Sequence, residues 1–131
     1  PQMFLTQLRA ILRASTHGKV RILLPMLAHV HEIEQTLGLI RQAKQQLDER
    51  GTPYDRDIEI GGMIEIPAAA LALPIFMRRL NFLSIGTNDL IQYTLAVDRT
   101  NEKVAGLFCA AHPAVLSLVR DVIRRSTLAH R

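Results

Sequence analysis

Four residues combine types and spacing that can do chemistry: Glu65, Asn88, Asp89 and Arg99. Glu65 closes an apolar run, Ile58-Glu59-Ile60-Gly61-Gly62-Met63-Ile64-Glu65-Ile66-Pro67, and Asn88-Asp89 closes another, Asn81-Phe82-Leu83-Ser84-Ile85-Gly86-Thr87-Asn88-Asp89. Each run reads as a buried strand ending in a carboxylate beside a helix starter. Carboxylates at neighbouring strand ends can hold a hard divalent cation through oxygen. An amide and a guanidinium nearby can hold a polyanion against that cation, the guanidinium with its planar fork of donors. The pattern is that of a metal-assisted phosphate site.

Each of these residues also has a plainer reading. Glu65 can be an ordinary buried, paired carboxylate. Asn88 and Asp89 are both good helix caps, and capping does not exclude ligation. Arg99 can be a surface arginine. His112, before Pro113, reads as a helix cap or packing residue, and His17, His29, His31 and His130 lack ligand spacing. Arg78-Arg79 and Arg124-Arg125 read as solvated helix faces. Gly61-Gly62 is no phosphate loop; inside a strand it marks close packing or a bulge.

The elements that must position the four residues alternate along the chain. Phe4, Leu5, Leu8, Ile11 and Leu12 recur at helical spacing, and His17-Gly18 marks a stop. Residues 20–26 form a short apolar run suited to a buried strand. Val30, Ile33, Leu37, Ile40 and Leu47 make one helical face, ended by Gly51-Thr52-Pro53. A strand over 58–66 precedes Pro67 at a helix N1 position. Pro74 should break or kink the next helix. Residues 81–85 form another strand, and 113–125 a final helix. The order βαβαβ predicts an α/β fold with a parallel sheet, whose sites gather at the C-terminal ends of the strands in open sheets and closed barrels alike. A complete (β/α)8 barrel needs roughly 200–250 residues. The chain is therefore a small open α/β domain or a slice of a barrel.

Composition narrows the class. The 131 residues allow one domain, and a hydrophobic fraction of 48% suits a globular core. No apolar run reaches the ~18 residues of a membrane span. One cysteine, Cys109, rules out an intrachain disulfide and suits a reducing cytoplasm. The net charge of +4 favours anionic ligands, but the basic residues are scattered and aromatics make up only 5%, which argues against a nucleic-acid platform. The chain opens on Pro1 without a signal pattern, so a piece of a longer polypeptide or a processed chain is expected.

The segments Gly62-Met63-Ile64-Glu65-Ile66-Pro67-Ala68-Ala69-Ala70 and Phe82-Leu83-Ser84-Ile85-Gly86-Thr87-Asn88-Asp89-Leu90 closely resemble the phosphoenolpyruvate-utilising enzymes. The continuation Gln92-Tyr93-Thr94-Leu95-Ala96-Val97-Asp98-Arg99 is similar to the family's enzyme I branch, which serves bacterial sugar phosphotransferase systems. Gln7-Leu8-Arg9-Ala10-Ile11-Leu12-Arg13-Ala14-Ser15, Leu24-Pro25-Met26 and His112-Pro113-Ala114-Val115-Leu116 extend the match over nearly the whole chain.

The resemblance implies a partial (β/α)8 TIM barrel, about three consecutive parallel βα units from its middle, with residues 1–131 a fragment of the phosphoenolpyruvate-binding domain. It implies a phosphotransferase that moves the phosphoryl group of phosphoenolpyruvate, with magnesium, to a protein histidine. Glu65 and Asp89 would be the magnesium ligands, and Asn88, Asp89 and Arg99 would contact the substrate phosphate. A phosphocarrier protein, a homodimer and a cytoplasmic setting come with the same resemblance. The family's proton-donating Gly-x-Cys-Gly-Glu motif and its phosphoaccepting histidine domain have no counterpart here, and Cys109 in Leu107-Phe108-Cys109-Ala110-Ala111 does not replace the former. The fragment alone is therefore expected to be inactive. Two alternatives stay open: a pyruvate phosphate dikinase or phosphoenolpyruvate synthase relative, and a non-catalytic barrel fragment. In a barrel slice, Ile64, Ile66, Leu83 and Ile85 are expected to face the interior, and the outer strands to leave open edges.

Overall fold

The computed structural model describes residues 2–129; His130 and the last residue of the tail lie outside them. Ten elements follow in order: α1 (Gln2–Ala14), β1 (Arg21–Leu24), α2 (Val30–Glu49), β2 (Glu59–Ile64), α3 (Pro67–Leu71), α4 (Leu73–Met77), β3 (Phe82–Ile85), α5 (Thr87–Leu95), a 3-10 turn (Ala105–Leu107) and α6 (Pro113–Leu128). The strands are parallel and lie in the order β1-β2-β3, so each crossover places neighbours in sequence side by side. This is the expected α/β arrangement of consecutive βα units. Pro74 splits the helical stretch after β2 as expected: α3 ends at Leu71, and Pro74 stands in the first turn of α4.

The register decides which face of the sheet is covered. Side chains alternate along a strand, and in-register partners share a face. Arg21 pairs with Glu59, Leu24 with Gly62, Gly62 with Leu83, and Ile64 with Ile85. One face therefore carries Ile22, Leu24, Ile60, Gly62, Ile64, Leu83 and Ile85. It meets Leu5, Leu8 and Leu12 of α1, Ile33, Ile40, Ala43 and Leu47 of α2, Leu73 and Phe76 of α4, and Val122 of α6 in one apolar core. Removing each of these larger side chains from water contributes roughly 1.5–3 kcal/mol.

The opposite face carries Arg21, Leu23, Glu59, Gly61, Met63, Phe82 and Ser84. This corrects the expectation for Ile64, Leu83 and Ile85, which pack against helices; Ile66 lies past the strand, at the N-cap of α3. The uncovered face is mostly polar or partly exposed. Arg21 Nε pairs with Glu59 Oε2 at 2.5 Å, and its guanidinium lies over the Phe82 ring, 5.3 Å from the centroid. The Phe82 ring in turn occupies the space where a Cβ on Gly61 would sit, while Leu80 and Leu27 close on Gly62. The two glycines thus permit close packing, and the continuous register leaves no bulge.

Candidate functional site

Glu65 is the residue immediately after β2, on the face opposite Ile64, and it is only 5% exposed. Its Oε1 accepts a hydrogen bond from the Met26 backbone N–H at 2.6 Å. Met26 belongs to the turn that follows β1, and its φ of 54° is left-handed. A non-glycine residue pays about 1–2 kcal/mol for that conformation. Here the turn aims an N–H at a carboxylate 39 positions along the chain. On the other side, a Cβ on Gly86 would stand 2.6 Å from Glu65 Oε2 and 2.7 Å from its Cβ. Only a residue without a side chain leaves room for Glu65 at the end of β3.

Asp89 does not end its strand. It is the third residue of α5, whose N-cap is Gly86, with no side-chain cap hydrogen bond. Neither Asn88 nor Asp89 is therefore a cap; Asp89 places its negative charge in the first turn, where the helix dipole favours it. The Asn88 side chain is exposed and makes no hydrogen bond among the described residues.

Arg99 returns to the same place by a turn built from the chain between them. Ala96 caps α5 in the left-handed conformation (φ 53°), and the Val97 N–H donates to the Gln92 carbonyl at 3.0 Å. The Gln92 side-chain oxygen accepts from the Arg99 backbone N–H at 3.2 Å. Asp98 Oδ1 accepts from the Thr100 N–H at 2.9 Å and from its hydroxyl at 2.7 Å, and these bonds hold the Asp98 carboxyl below its ordinary pKa. The outcome is an Arg99 Nη2 that lies 3.6 Å from Asp89 Oδ1. That separation is loose for a hydrogen-bonded pair, and the arginine is 42% exposed.

Glu65, Asn88, Asp89 and Arg99 thus line one cleft of about 320 Å³, with Met63, Ile85, Gly86 and Thr87. The structure brings together all four residues singled out in the sequence. A larger hollow of about 690 Å³ lies against α6, but its one carboxylate, Asp121, is already paired with Arg125 at 2.9 Å. Chemistry, not size, distinguishes the cleft at the strand ends. Sequence reasoning missed Met26, Gly86 and Gln92. All three stand inside the quoted segments, where they build the site rather than touch a ligand. Nothing in the sequence marked Met26 as left-handed.

The donor set fits a hard divalent cation. Glu65 is buried, yet no cationic side chain is paired with it among the described residues. A buried carboxylate without a counter-charge is costly, and a cation in the cleft would relieve it. Only two acidic residues line the cleft, and no group of three or more His, Cys, Asp or Glu side chains gathers among the described residues. A few carboxylates completed by water and substrate oxygens is the arrangement magnesium favours over a cage made wholly of protein. His112 acts as expected, as the N-cap of α6, its Nδ1 accepting from the Ala114 N–H at 3.1 Å. No helix among the described residues is long and apolar enough to cross a membrane.

Residues 1–131 match the family described as PEP-utilising enzyme, PEP-binding domain. A phosphoenolpyruvate-protein phosphotransferase of Cupriavidus necator is 64% identical over 129 residues, which is 98% of this chain and 22% of that protein. One of Priestia megaterium is 48% identical over 122 residues, covering 93% of this chain and 21% of the relative. The chain thus spans about a fifth of the length of these relatives. Among solved structures, a citrate lyase from Burkholderia xenovorans shares the fold at a TM-score of 0.65 and 20% identity, over 90% of this chain and 36% of the other. On the strength of the match over its whole length, the chain belongs to the phosphoenolpyruvate-utilising enzymes, within their phosphoenolpyruvate-binding domain.

Proposed function

We propose that residues 1–131 are part of a (β/α)8 barrel domain in a phosphoenolpyruvate–protein phosphotransferase of the sugar phosphotransferase system. The complete polypeptide transfers the phosphoryl group of phosphoenolpyruvate to a protein histidine and passes it to a phosphocarrier protein, working as a homodimer in the cytoplasm. The observation that carries this reading is Glu65, a buried carboxylate with no cationic partner among the described residues, in one cleft with Asp89, Asn88 and Arg99.

Glu65 and Asp89 would hold magnesium, which when bound neutralises charge on the phosphoryl oxygens. Asn88 donates a hydrogen bond to the phosphate. Arg99, held loosely against Asp89, turns its fork toward the phosphoryl group as the bond to the enolpyruvate oxygen breaks. Exposure of 42% leaves its side chain free to make that turn. The proton for the enolpyruvate and the accepting histidine come from other parts of the polypeptide, so residues 1–131 alone release no pyruvate.

Binding of phosphoenolpyruvate by the complete polypeptide, measured calorimetrically with and without magnesium, tests the reading. Binding should require magnesium and should be lost in Glu65→Gln. Binding indifferent both to magnesium and to that substitution would overturn it.

A further inference from the structure

We infer that Gly86 and the Met26 backbone are positioning elements for Glu65, and that together they leave it a single oxygen, Oε2, for the cation. The inference deepens the proposed magnesium site and rests on it. Its ground is a clamp visible from both sides. On one side the Met26 N–H takes Oε1 at 2.6 Å, from a left-handed turn that the chain would otherwise avoid. On the other, the missing side chain of Gly86 leaves room for Oε2, which a Cβ there would meet at 2.6 Å. Oε2 makes no hydrogen bond among the described residues, and the carboxylate cannot rotate to present both oxygens without breaking the bond to Met26. Glu65 therefore binds in a monodentate manner, with Oε1 fixed by the neighbouring βα turn.

The φ of Gly86 is −88°, a value any residue adopts. Space, not backbone freedom, is what the position requires. Alanine at 86 leaves the backbone conformation accessible and displaces the carboxylate, so the predicted defect is in the metal site. The Glu65→Asp variant probes the other jaw, because it keeps the charge but withdraws the carboxylate by one methylene from the Met26 N–H.

The test uses the complete polypeptide and Mn2+ as the probe, with free Mn2+ followed by electron paramagnetic resonance and folding followed by circular dichroism. Gly86→Ala should weaken Mn2+ binding about 10- to 100-fold, the usual cost of losing a group that orients a metal ligand. Its phosphotransfer should need more metal and recover much of its rate at saturating metal, a split that a merely structural defect would not produce. Glu65→Asp should lose Mn2+ affinity nearly as far as Glu65→Gln, although the charge is kept. This arm holds even if Gly86→Ala does not fold. Wild-type affinity in Glu65→Asp, or in a folded Gly86→Ala, would overturn the clamp while a weakened Glu65→Gln preserved the metal site. Wild-type affinity in Glu65→Gln would remove the site and the clamp together.

Discussion

Two clusters in this molecule are made of the same materials and end in opposite conditions. At the C-terminal end of α2, Asp48 in its last turn and Tyr54 and Arg56 beyond it satisfy one another. Arg56 Nη2 reaches Asp48 Oδ1 at 2.6 Å, the Tyr54 hydroxyl donates to Asp48 at 3.1 Å, and the Arg56 guanidinium lies 5.1 Å from the centre of the Tyr54 ring. Lys44 adds a hydrogen bond to the Arg56 carbonyl at 2.8 Å. At the other end of the sheet, Glu65 has no cationic partner among the described residues, and Asp89 and Arg99 stand 3.6 Å apart. The first cluster has spent its charge on itself. The second keeps charge available, and its Glu65 is buried. An acidic residue beside an arginine is therefore not a site by composition; what separates the two clusters is whether the partners close on each other.

The largest break in that comparison is Asp89→Asn in the complete polypeptide. It removes a charge from the open cluster while preserving shape. Turnover should fall by about 10²–10³-fold or more, the scale of losing one group that stabilises transition-state charge, with the melting temperature nearly unchanged. Normal turnover would refute the role assigned to Asp89.

Arg99→Lys is the next test. A point charge loses the fork, so turnover should fall roughly 10²-fold, and stability should hold because the side chain is half in solvent and supports no core. A variant with the wild-type rate and only a lower melting temperature would make Arg99 a structural residue of the turn, like Gln92.

Asp48→Asn should do the least, and in a different variable. Phosphotransfer should be untouched, and the loss of stability should be small, as is typical of exposed ion pairs. The hydrogen bond from Arg56, foremost, holds the Asp48 carboxyl below its ordinary pKa. A depressed folded value means that its stabilisation is fully present above the ordinary aspartate range and disappears as pH falls through the lowered value. Melting temperatures of wild type and Asp48→Asn, followed against pH, should differ near neutrality and converge in acid. A constant gap across that range would show that Asp48 acts through packing alone.

Much of this molecule was legible from its residues. The alternation of helical and strand patterns, the break at Pro74, the cap at His112 and the gathering of Glu65, Asn88, Asp89 and Arg99 all followed from local chemistry and short motifs. Local signals suffice there because propensity, the missing N–H of proline and the parallel-sheet rule act over a few residues or one βα unit. The errors arose one level up. Asn88 and Asp89 are good cap residues, yet α5 starts at Thr87 with Gly86 as its N-cap, where the end of β3 makes room for Glu65.

What the sequence by itself determined is the set of elements, their order and the family to which the chain belongs. Only the tertiary structure decided which face of the sheet the helices cover, since that depends on register, and one residue of slip would exchange Ile64 for Met63. Only it placed a left-handed Met26 under a carboxylate 39 residues away and set Arg99 loosely against Asp89. The first contact joins different βα units and the second is closed by the turn after α5, and no local preference of either partner encodes the distance between them.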